Sequence, residues 1–135
     1  MENDEMHFGW VTPNEASALA EAGLPESTAD LFYKVLDDGS HELALRKENG
    51  GQYVPCWSIG CLIALLPSVY IDKHNVQYAP SVDSFGCGYY EIDRLHGIMY
   101  TDETVAVFPN TRESHSVVNL VLWALKGNFI KTDRI

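Results

Sequence analysis

The stretch Leu31-Phe32-Tyr33-Lys34-Val35-Leu36-Asp37-Asp38-Gly39-Ser40-His41-Glu42-Leu43-Ala44-Leu45-Arg46 places two short, apolar-rich runs on either side of four small or acidic residues. Asp, Gly and Ser tolerate the backbone angles of tight turns, so the stretch predicts an antiparallel hairpin, Leu31 to Leu36 against His41 to Arg46. Pairing Leu36 with His41 sets Phe32, Leu36, Leu43 and Leu45 on one face, the expected core face. The middle of the chain repeats the pattern, with extended runs at Val69 to Ile71, Val76 to Ala79, Gly88 to Ile92, Gly97 to Tyr100 and Val105 to Phe108. Asp72-Lys73-His74-Asn75 and Thr101-Asp102-Glu103-Thr104 are the clearest turns among them, and an antiparallel meander is the economical reading.

Helices flank and interrupt these strands. Thr12-Pro13-Asn14-Glu15 has the Thr cap, the Pro at the first helical position and the Glu three residues on that make a capping box, with Val11 and Ala16 in staple positions. Ala16, Leu19 and Ala20 follow at helical spacing, and Gly23-Leu24-Pro25 stops the helix. Lys47 to Gln52 reads as a loop. Ser58 is the expected cap of a helix over Ile59 to Leu66, which is apolar on nearly every side and is expected to be buried all round. The last helix is predicted from about Arg112 to Lys126, capped by Asn110 or Thr111, with Phe129 and Ile130 folding back over its end.

The chain has 135 residues, 46% of them hydrophobic, enough for one domain that buries about two thirds of the surface its unfolded form exposes. The expected domain spans residues 1–135, with residues 1–9 as its flexible end. Nineteen acidic against nine basic side chains leave a net charge of −10, a field that repels phosphate and anionic lipid, so direct nucleic-acid binding is not expected. The nineteen carboxylates are scattered from Glu2 to Asp133, the pattern of solubilising charge and not of a nucleic-acid mimic. The longest uncharged run, Tyr53 to Ile71, is broken by Pro55 and Pro67 and is too short between them to span a bilayer. Met1-Glu2-Asn3-Asp4-Glu5-Met6 lacks the basic and apolar regions of a secretory signal, and three cysteines do not make a disulfide framework, so the expected location is the cytoplasm.

Pro55-Cys56-Trp57-Ser58-Ile59-Gly60 with Leu62, Leu65, Leu66 and Pro67 resembles a group of small uncharacterised proteins of Bacteroidetes phages and integrated mobile elements. Ala29-Asp30-Leu31-Phe32-Tyr33 is similar to that group's first strand, and Leu122 to Ile130 to its closing helix and Asn-aromatic-Ile end. The resemblance runs from about Thr12 to Ile130. It implies a bacterial or prophage setting and no particular chemistry.

Two constellations could carry chemistry. Cys56 before a helix and His96 at the start of His96-Gly97-Ile98-Met99-Tyr100 follow an order similar to NlpC/P60-type cysteine peptidases, in which a His activates a Cys at a helix start. The match departs at Pro55 and Trp57, where the family has Asp and Ser. Glu91 and Asp93 project to one side of their predicted strand with His96 nearby, the donor types of a hard-cation or general-acid site. Cys56-x4-Cys61 is too widely spaced for a zinc knuckle, and Cys87 has no second half. Gly86-Cys87-Gly88 lacks the Lys-Ser/Thr and following helix of a phosphate loop. His7, His41, His74 and His115 are expected on the surface, and Trp10, Trp57 and Trp123 in packing roles. The expected fold is therefore α+β, with five to seven short, mostly antiparallel strands and three helices, the middle one plugging the core. The expected function is a non-enzymatic accessory protein with a protein partner and no cofactor, and its alternative is the Cys56/His96 hydrolase.

Overall fold

The computed structural model describes residues 9–71, 73–82, 86–93, 97–98, 104–109 and 115–130. Helix α1 spans Pro13–Glu21 and starts on the predicted capping box: the Glu15 amide donates to Thr12 Oγ1 at 3.2 Å and the Thr12 amide to Glu15 Oε1 at 2.9 Å. Val11 and Ala16, the staple pair, are fully buried. Past the helix end the Leu24 amide returns to the Leu19 carbonyl and the Gly23 amide to that of Ala20, the paired bonds of a Schellman end.

Strands β1 (Leu31–Val35), β2 (His41–Ala44) and β3 (Gln52–Cys56) form an antiparallel sheet in the order β2-β1-β3. The hairpin is there, and its register is one residue away from the expected one. Val35 pairs with His41 and Tyr33 with Leu43. The cause is the turn: Leu36 and Ser40 close a three-residue loop, with the Gly39 amide on the Leu36 carbonyl and Gly39 at φ +86°, a conformation that glycine alone adopts without penalty. The shift moves Leu43 to the Tyr33 face, which is the core face, since Tyr33 is buried and its hydroxyl donates to the Val11 carbonyl. Phe32 turns outward, and Leu45, just past β2, is 79% exposed. Strand β3 starts at Gln52, the last residue of the expected loop. It tolerates Pro55, which has no amide to donate, because it is an edge strand.

Helix α2, Ile59–Leu65, is capped by Ser58, whose hydroxyl accepts the Cys61 amide at 3.1 Å. It does not plug the core. Within the helix only Leu62 is buried, while Gly60, Ile63 and Ala64 are exposed. Seven residues make two turns lying along the surface, so an all-apolar sequence leaves one face in water.

Strands β4 (Tyr70–Ile71), β5 (Gln77–Val82), β6 (Gly86–Asp93), β7 (Gly97–Ile98) and β8 (Thr104–Pro109) form a second antiparallel sheet, in which β5 joins β4 to β6 and both β7 and β8 pair with β6. Each expected run of the meander contains a strand, with Met99 and Tyr100 of the fourth run outside the described residues, and the class is α+β. Helix α3, Ser116–Lys126, lies on β6 and β8, while α1 packs on β3 and touches α3. One apolar cluster, from Val11 and Tyr33 through Trp57 and Tyr89 to Leu120 and Ile130, joins both sheets and all three helices. Among the described residues no helix is long and apolar enough to cross a membrane. The expected start of the last helix at Arg112 and its caps Asn110 or Thr111 lie outside the described residues, and the helix itself begins at Ser116.

Candidate interaction surface

Of the expected site residues, the structure describes Cys56 and Glu91. Cys56 ends β3 opposite Leu31, is fully buried, and its Sγ lies 3.9 Å from the Val11 carbonyl. Burial pushes its thiol up to about 12, outweighing the relief from a hydrogen bond with Tyr33, and the Asp30 charge adds to the rise. A helix N-terminus would favour a thiolate, but here Ser58 is the cap and the sulfur sits two residues before it, in the core. His96 lies outside the described residues, as do the side chain of Asp93 and residue His7. Glu91 is half-buried on β6, opposite Tyr78. Among the described residues no three His, Cys, Asp or Glu side chains gather as a metal site would require. Cys61 is half-buried with its Sγ 3.2 Å from the Thr28 carbonyl, and Cys87 is buried.

The expected surface position of His115 is overturned. Its side chain is buried, its Nδ1 stands 2.8 Å from Glu15 Oε1, and its amide donates to Glu15 Oε2 at 2.7 Å. His115 is the N-cap residue of α3 and makes no side-chain cap bond to that helix. The Glu15 carboxylate serves instead, holding the first turns of α1 and α3 together. Burial by itself would raise the Glu15 pKa, but hydrogen bonds from the His115 ring and from the Thr12 and His115 amides outweigh it and hold the carboxyl below its ordinary value. With the carboxylate ionised, the 2.8 Å contact requires the proton on His115 Nδ1. Tyr33 lies near enough for the Glu15 charge to oppose its ionisation. These groups sit inside the packed core, where they tie elements together.

The surface offers something different. Tyr70 on β4 meets Trp123 on α3 and Phe129 beyond α3 edge to face, with ring centroids 5.6 Å and 4.5 Å apart, and Trp123 and Phe129 lie tilted against each other at 5.0 Å. All three are half-buried, and with Lys126 and Gly127 they line an open groove of about 460 Å³. Tyr78 and Tyr89 support Tyr70 from behind, and the Tyr89 hydroxyl is fixed to the Pro67 carbonyl at 2.6 Å. The end of α3 builds the near wall. The Phe129 amide bonds to the Ala124 carbonyl and that of Asn128 to Leu125, with Asn128 at φ 61°, so the chain turns back and lays Phe129 against the helix. A Cβ at position 127 would stand 2.4 Å from the Phe129 ring, so a larger residue there would push the ring away from its place against the helix. Val69 and Ile71, on either side of Tyr70, are exposed. The fold-back of Phe129 is legible in Gly127-Asn128; the meeting with Tyr70 is not, because those residues belong to different elements and no local pattern links them. No protein-family model, curated protein or solved structure matches this chain.

Proposed function

We propose that this chain is a non-enzymatic accessory protein of a bacteriophage or integrated mobile element, acting in the bacterial cytoplasm by binding a protein partner through the Tyr70/Trp123/Phe129 groove. The observation that carries the reading is the gathering of three half-buried rings along one open groove, flanked by the exposed Val69 and Ile71. Aromatic side chains in such settings supply much of the binding energy of protein interfaces and lose little entropy on docking. The net charge of −10 favours a protein partner over nucleic acid or an anionic membrane. The sequence resemblance supplies the mobile-element setting, and the burial of Cys56 weighs against a thiol nucleophile.

Capture from the native host with three baits tests this: the wild-type chain, Ile71→Lys and Lys126→Glu, two exposed substitutions at the groove and its flank. The expected result is a protein retained by the wild type and reduced about tenfold or more with the folded variants. Retention indifferent to both substitutions would remove the groove from the reading.

A further inference from the structure

The outer face of the three-stranded sheet carries a second depression, remote in sequence from the aromatic groove. Lys34 and Arg46 supply two positive charges at its lining and Glu42 and Glu48 two negative ones, around Ala44, Tyr53 and the 79% exposed Leu45. Leu45 is the most exposed of the large hydrophobic residues described. None of the four charged side chains is in an ion pair with another described residue; the neighbouring Lys47 is already committed to Glu26. The face is thus locally neutral on a chain whose net charge is −10, and like copies repel one another least where such a face meets itself.

We propose that this face is the contact of a twofold dimer, with a second copy of the chain as its occupant. In an isologous contact each patch meets the same patch, so a surface that holds both signs is self-complementary: the cations of one copy lie against the carboxylates of the other, and the two Leu45 side chains leave water together. A partner of single charge sign would leave half of these groups facing like charge.

Sedimentation of the wild-type chain over a concentration series, with Arg46→Glu and Glu48→Lys, decides the question. Arg46→Glu makes the patch net negative and Glu48→Lys makes it net positive, so each alone is expected to weaken self-association by about tenfold or more, while an equimolar mixture of the two forms a heterodimer. Recovery on mixing cannot come from a folding defect, and unfolding midpoints near the wild-type value confirm that each variant is folded. A wild-type chain that stays monomeric at millimolar concentration overturns the proposal. So does a dimer untouched by either substitution, or a mixture that remains monomeric. A heterologous protein captured by this face in place of a second copy would appear as the first of these outcomes.

Discussion

Helices α1 and α3 begin on the same carboxylate and reach it by different routes. For α1 the partners are local, since Glu15 returns to the amide of Thr12, three residues before it. For α3 the same side chain arrives from another helix, meeting the amide and ring of His115 across a separation of 100 residues. The α1 end is a motif, in which each piece stabilises the helix that contains it. The α3 end is an assembly contact and exists only once α1 has docked. Because each helix also packs on a different sheet, Glu15 is a polar joint between the two halves of the core. An anion at two helix N-termini is favoured by both dipoles, which offsets the cost of burying it.

The most severe way to break the comparison is Glu15→Ala. It removes the carboxylate that the Thr12 amide, the His115 amide and the His115 ring all face, and the expected loss is about 4 kcal/mol in a denaturant midpoint experiment. The same joint gives a pH dependence with a definite sign. The folded-state pKa of Glu15 lies below its unfolded value, so the joint stabilises the protein fully above the unfolded carboxyl pKa and is lost as pH falls through the folded one. Glu15→Gln is expected to flatten that acid limb; an unchanged acid limb would show that the carboxylate is not the group responsible.

The opposite ends of the two helices sharpen the contrast at intermediate cost. Both ends use Schellman bonds, but α3 adds Phe129 and Ile130, the latter buried. A chain ending at Asn128 is expected to be about 3 kcal/mol less stable than one ending at Ile130, through the lost amide bond and the two apolar side chains. Equal thermal midpoints for the two truncations would mean that the fold-back contributes nothing. The smallest effect is Thr12→Ala, expected to cost about 1 kcal/mol because it removes one acceptor from α1 alone. A loss as large as that of Glu15→Ala would collapse the distinction between motif and joint.

The legible parts of the chain are those in which cause and effect lie within a few residues. The α1 cap, the stop at Gly23, the cap Ser58, the α3 fold-back and the seven extended runs all belong to this class, and the antiparallel α+β class follows from them. The hairpin shows where legibility ends. Asp37-Asp38-Gly39-Ser40 announces a turn, yet whether three or four residues form the loop depends on Gly39 and on which face of β1 finds a partner. Tyr33 decides it through a bond to Val11, from another element. Strand β3 was hidden by Pro55, and its edge position, which makes the proline acceptable, is a property of the sheet and not of the sequence around it.

By itself, then, the sequence determined both ends of α1, the cap of α2, the fold-back after α3 and the charge, because hydrogen bonds over three or four residues and net electrostatics need no knowledge of the rest of the chain. Only the tertiary structure decided the hairpin register, the exposed side of α2, the burial of His115 against Glu15 and the meeting of Tyr70, Trp123 and Phe129. Each of these depends on which apolar face the core accepts and which polar group has a partner there, a choice made by packing among elements far apart in sequence.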